Sequence, residues 1–92
     1  MDCTWDDDKA RINLVMHGVS FDEAQRVLVD PHVLIEDDWS EPSEQRLRAI
    51  GLSVGRVLFV VFVEIDEDFV RLISARKANR HEQDRYYRQA LP

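Results

Sequence analysis

Two clusters of side chains in this 92-residue chain have types and spacings that could do chemistry. Lys9, Asn13 and His17 recur at steps of four residues. Each such step advances only about 40° around a helix, so the three share one stripe. Ala10 and Leu14 flank that stripe and place it along the edge of a buried face. A cation, an amide and an imidazole there could bind phosphate and move protons, because imidazole ordinarily changes charge near neutral pH. The alternative is that His17 serves the carboxyl end of its helix, where partial negative charge favours a cation.

The second cluster runs from Arg71 through Arg76 and Lys77 to Arg80, where a strand should end and a helix begin. Helix amides and bases together attract anions. Arg71 and Arg76 lie at opposite parity, so a regular strand would not put them on one face. A bulge or strand end near Ser74 would be needed to bring them together. The alternative is a solvated basic surface paired with acidic loops. Tyr86 and Tyr87 stand between Arg85 and Arg88. Aromatics among bases suit single-stranded RNA, whose bases stack on rings, although helical packing explains at least one tyrosine equally well. Metal chemistry is poorly supported, since His17, His32 and His81 are scattered and Cys3 stands alone. No glycine-rich phosphate loop or serine elbow is present, and no metal or cofactor is expected.

These groups need elements to hold them. Cys3 to Trp5 reads as a short strand. Asp6 caps a helix from Asp7 to His17, with Asp7 and Asp8 in the first turn and Gly18 after its end. Ser20 and Glu23 form a capping box for a second helix that Asp30-Pro31 stops. Val33 to Ile35 is a candidate short strand, and the acidic stretch from Glu36 to Glu44 reads as an exposed loop. Strands follow over Arg46–Leu52, Arg56–Glu64 and Phe69–Ala75 at hairpin spacing. The middle one is apolar on both faces and should be central and covered on both sides. Asn79 and Glu82 open a last helix that runs to about Gln89. The expected order is β-α-α-β-β-β-α, an α+β fold with an antiparallel sheet of three to four strands, two N-terminal helices and one C-terminal helix.

The length suits one domain over residues 1–92. A single cysteine permits no intrachain disulfide, and no secretory signal or bilayer-length apolar run is seen, so a cytoplasmic location is expected. The net charge of −6 argues against wholesale nucleic-acid binding, but it divides into −9 over residues 1–45 and +3 over residues 46–92. That split points to an anionic partner near the second half and a basic partner near the first.

Three stretches of the chain resemble the BrnT family of bacterial type II toxins. They are Trp5-Asp6 with Lys9, Asn13, His17-Gly18-Val19, Phe21 and Ala24; Ile50-Gly51 with Gly55 to Val61; and Arg71 to Ala78 with Glu82 and Tyr86. The resemblance implies a RelE-like fold and ribonuclease activity. It also implies a BrnA-like antitoxin carrying a ribbon-helix-helix DNA-binding part, two toxins and two antitoxins per complex, and operator DNA contacted only through the antitoxin. By position it makes Lys9, His17, Arg71 and Arg76 the catalytic candidates and Lys77 and Tyr86 RNA-binding ones, to which the basic corner adds Arg80. The family usually has lysine before the histidine; here that residue is Met16.

Two functions follow as expectations. The first is a metal-independent endoribonuclease that inhibits growth until its antitoxin neutralises it. The second is a weakly active or inactive protein of the same fold that acts as corepressor with the DNA-binding antitoxin. A stand-alone nucleic-acid-binding module fits least, because the domain is acidic and shows no recognition-helix pattern.

Overall fold

The structure is a computed structural model that describes residues 1–91. Its elements are β1 (Asp2–Thr4), α1 (Asp7–His17), α2 (Phe21–Ala24) continued by a 3-10 turn over Gln25–Val29, β2 (Leu34–Asp38), β3 (Arg46–Ser53), β4 (Arg56–Asp66), β5 (Phe69–Lys77) and α3 (Arg80–Ala90). Among the described residues no helix is long and apolar enough to cross a membrane.

The class is α+β as expected, but the sheet differs from the expectation of three to four antiparallel strands. It has five strands in the order β1-β5-β4-β3-β2. It is also mixed, because β1 runs parallel to β5 while the other neighbours are antiparallel. Two causes account for this. A strand as short as β1 has no periodicity to read. The acidic stretch, expected to be loop from Glu36 onward, stays extended through Asp38 because its carboxylates meet bases across the ladder. Glu36 lies opposite Arg48, and Asp38 opposite Arg46. Cross-strand pairs of opposite charge stabilise a ladder that composition alone would disfavour.

β4 is central, as its double apolar face requires. Leu58, Val60 and Phe62 face a core closed by Val19, Phe21, Ala24, Val27 and Leu28 of the N-terminal helical segment. Val57, Phe59 and Val61 face a second core with Ile50, Ala78 and Tyr86. Gly51 admits the 3-10 turn against β3. A Cβ there would stand 2.9 Å from Val27 Cγ1 and 3.3 Å from the Val27 carbonyl oxygen. The β3–β4 hairpin turns on Val54 and Gly55, both at positive φ (47° and 82°). That conformation suits a tight hairpin and is strained for a β-branched residue.

Local signals set the helices. Asp6 Oδ1 accepts from the Lys9 amide at 3.0 Å, and Gly18 ends α1 in the left-handed region. Asn79 and Glu82 form a complete capping box. The box at Ser20 is only half made. Ser20 Oγ accepts from the Glu23 amide, but the Glu23 carboxylate turns away to the Arg56 guanidinium, at 2.7 Å to both Nε and Nη2. Arg56 Nη2 also reaches the Gly18 carbonyl, so this one side chain ties β4 to the ends of both helices. The Arg56 guanidinium holds the Glu23 carboxyl below the usual carboxylate range despite partial burial.

Candidate active site

α1 lies along the edge of β5 that β1 leaves open. β1 pairs with Phe69 to Arg71 and goes no further. Beyond it the side chain of Asn13 takes the place of a strand. Its Oδ1 accepts from the Ala75 amide at 3.1 Å, and its Nδ2 donates to the carbonyls of Ala75 at 2.8 Å and Val19 at 2.9 Å. Asn13 is 6% exposed and is the one buried residue of α1. It therefore anchors the stripe rather than meeting a ligand, and it fixes the positions of Lys9 one turn before it and His17 one turn after. Both are exposed. With Ile12, Asn13, Met16 and Ile73 they line an open cleft of about 250 Å³. His17 is the last residue of α1.

Ile73 is the unpaired residue of a bulge in β5. Leu72 lies opposite Phe62 and Ser74 opposite Val61, leaving Ile73 without a partner between them. The bulge switches parity at the place where the sequence required a switch. Arg71 lies opposite Val63 and Arg76 opposite Phe59, so both point to the α3 side of the sheet. Directly opposed residues share a face. Ile73 itself touches both the α1 cleft and the second core, and so joins the two regions.

The α3 side holds more bases than the sequence analysis singled out. Arg48 lies opposite Val61, so Arg46 and Arg48 share the face of Arg71 and Arg76. Arg85 reaches it from α3. Carboxylates hold these groups in place. Glu82 takes the fork of Arg76 at 2.8 and 2.9 Å. Glu36 accepts from Arg48 at 2.8 Å and from both terminal nitrogens of Arg85 at 3.1 and 2.7 Å. Glu44 accepts from Arg71 at 3.0 Å. The guanidinium of Arg76 also stacks 4.0 Å from the Phe59 ring centroid, and that of Arg48 lies 5.9 Å from it. Among the described residues, Arg46 Nε is buried with no hydrogen-bond partner. Arg85 holds the Glu36 carboxyl below its ordinary range. Glu82 is likewise lowered, because Arg76 and the Asn79 amide outweigh the upward push of burial. The clue to Arg46 and Arg48 was their i, i+2 spacing; Arg85 showed in the sequence only as a base beside the tyrosines, with nothing to place it on this face.

The remaining candidates separate. Lys77 lies opposite Leu58 and so on the other face of the sheet, the side of the first core. Arg80 is exposed at the first position of α3. The expectation that Tyr86 stacks on a base is corrected. Its ring is 3% exposed in the second core, and its hydroxyl donates to Asp30 Oδ2 at 2.5 Å. Asp30 also accepts from the Leu52 and His32 amides, tying α3 to β3 and to the chain after the 3-10 turn. Tyr87, edge-on to Tyr86 at 5.2 Å, is the exposed member of the pair.

Burial and the Asp30 carboxylate push the Tyr86 hydroxyl up to about 12. A group whose pKa is raised by folding lends stability that is complete below its unfolded pKa, about 10 for tyrosine. That stability is lost as pH rises toward the folded value. The thermal midpoint should therefore fall between pH 10 and 12. Tyr86→Phe should weaken that alkaline decline and cost about 2 kcal/mol at pH 7, the value of a hydrogen bond to a charged group. A pH series of thermal melts on both proteins checks this.

A larger cleft of about 310 Å³ lies in the acidic stretch between Asp37 and Arg46. Its carboxylates would repel phosphate, and it lies apart from Lys9 and His17. Among the described residues no cluster of histidine, cysteine or carboxylate side chains is arranged to hold a metal ion.

Comparison with known proteins adds to this geometry. Residues 5–82 match the family model described as the ribonuclease toxin, BrnT, of a type II toxin–antitoxin system. The crystal structure of the Brucella abortus ribonuclease toxin BrnT superposes with a TM-score of 0.68 at 25% identity, covering 87% of this chain and 99% of that one. No curated protein matches in sequence. The matched stretch includes both the α1 stripe and the bulged strand β5, and the chain belongs to the BrnT family of ribonuclease toxins of type II toxin–antitoxin systems.

Proposed function

We propose that this chain is a metal-independent endoribonuclease whose reacting phosphate sits where the α1 cleft meets the bulge of β5. The observation that carries this is the bulge at Ile73, which borders Lys9 and His17 and turns Arg71 and Arg76 to one face.

The chemistry needs no bound group. His17 takes the proton of a 2′-hydroxyl, and the 2′-oxygen attacks the adjacent phosphorus. The bond from phosphorus to the 5′-oxygen breaks, leaving a 2′,3′-cyclic phosphate. The departing 5′-oxygen takes its proton from Lys9, which shares the cleft. Arg71 and Arg76 stabilise the charge on the phosphorane. Arg71 is the more mobile contributor, because its partner Glu44 comes from the loop before β3 and holds it by one hydrogen bond. Arg76, gripped at both ends by Glu82, serves as a fixed charge over Phe59. Arg80, at the exposed start of α3, extends the phosphate track, Lys77 stands apart on the other face of the sheet, and Tyr87 takes over the stacking role first expected of Tyr86.

The partner is a BrnA-like ribbon-helix-helix antitoxin that neutralises the toxin in a complex of two toxins and two antitoxins and carries the pair to operator DNA. One observation favours the second function, a corepressor with little activity. Arg48, Arg71, Arg76 and Arg85 each already hold a carboxylate, so phosphate must displace one to bind. Expressing the chain alone decides between them. Growth arrest with loss of RNA is the expected result, and normal growth with intact RNA would favour the corepressor.

A further inference from the structure

α1 is built inside out. Its one buried residue is Asn13, while Ile12, Val15 and Met16 are 58%, 81% and 69% exposed. Spaced at i, i+3 and i+4, these three form one stripe on the outside of the helix. Single exposed apolar residues are ordinary, whereas a contiguous stripe on a small domain marks an interface. Ile12 and Met16 also form the rim of the cleft that holds Lys9 and His17.

We infer that this outer stripe is the seat of the antitoxin: an amphipathic segment that lays an apolar face on Ile12, Val15 and Met16, sets basic residues against Asp6, Asp7 and Asp8, and roofs the Lys9–His17 cleft. Charge selects this occupant over a second copy of the chain. The chain carries −6 overall and −9 over its first 45 residues, so two copies meeting at α1 would repel. Size argues the same way. α1 has 11 residues. Two helices that short cannot bury the roughly 800 Å² per partner of a stable interface. A longer basic segment that continues past the acidic end of α1 can. The inference rests on family membership and on the cleft being the active site.

The test expresses the tagged chain together with the genes flanking its own and measures the complex by gel filtration with light scattering. A small basic protein from a flanking gene should co-purify with the unaltered chain. Val15→Glu should weaken its affinity at least about 30-fold, as loss of an interface anchor does. Val15→Ala should weaken it less. Both should melt as the parent does, because Val15 makes no core contact. Leu52→Glu, on exposed β3 surface, should leave the affinity unchanged. Undiminished binding by Val15→Glu, a Leu52→Glu effect as large as that of Val15→Glu, a homodimer through α1, or no flanking product bound would each overturn the inference. Binding is read apart from RNA cleavage. A chain that cuts no RNA yet loses its partner on Val15→Glu would sink the nuclease instead and leave the docking surface standing.

Discussion

Replacing His17 with alanine should slow RNA cleavage by the purified chain about 100-fold or more, the scale of a lost general base. The fold should survive. His17 is exposed at the end of α1, and among the described residues its side chain makes no hydrogen bond. The thermal midpoint should therefore stay close to that of the parent, within the small helix-dipole contribution of a C-terminal cation. A single-turnover assay on a short RNA, read beside a thermal melt, separates the two effects. If the variant cuts as fast as the parent, His17 only ends the helix.

Asn13→Ala should act in the opposite order, through stability first. The substitution strips three hydrogen bonds of 2.8–3.1 Å and leaves the Ala75 amide with two carbonyls unpaired at a buried edge. Leaving such groups unsatisfied costs on the order of 3 kcal/mol. In a domain this small that lowers the thermal midpoint by roughly 15 °C. Asn13→Asp should be no milder, because a carboxylate would face the two carbonyls that the amide nitrogen now serves. Cleavage should fall as well, because Asn13 sets both Lys9 and His17 against β5. A chemical denaturation curve checks the magnitude, and a loss below about 1 kcal/mol would show that water replaces the amide at no great cost.

Asn13 also marks where the sequence was legible and where it was not. Its four-residue spacing from Lys9 and His17 placed all three on one stripe at a core boundary, and they are there. Spacing could not say that the amide would point inward to a strand edge, because that edge exists only where the short β1 stops. Strand parity required a bulge or a strand end near Ser74, and the ladder has a bulge between Leu72 and Ser74. The double apolar face of β4 made it central, and local chemistry at Asp6, Gly18 and Asn79 set the helix ends. What stayed hidden was long-range pairing. The carboxylates of Glu36 and Glu44 look like solvated surface, and that of Glu82 like a helix cap alone, until the fold brings arginines to them. Tyr86 looked open to a base until Asp30, 56 positions earlier, proved to hold its hydroxyl.

These arginines bear on how the site works as well as how it is held. On the proposed mechanism a phosphate entering the face displaces a carboxylate, and the exchange is easiest where the grip is single and the partner sits in a loop. That is Arg71 with Glu44. Arg76 is bound at both ends to a residue that also caps α3. On the proposed mechanism the exchange at Arg71 therefore leaves Glu82, and with it the cap of α3, in place.

The ends of the RNA fragments test the mechanism most directly. The purified chain is incubated with a short RNA in excess EDTA, and the products are weighed by mass spectrometry. Attack by the 2′-hydroxyl predicts fragments ending in 2′,3′-cyclic phosphate and beginning with 5′-hydroxyl, and a 2′-deoxy analogue left whole. Fragments with 3′-hydroxyl and 5′-phosphate ends, cleavage of the 2′-deoxy analogue, or cleavage abolished by EDTA would contradict it.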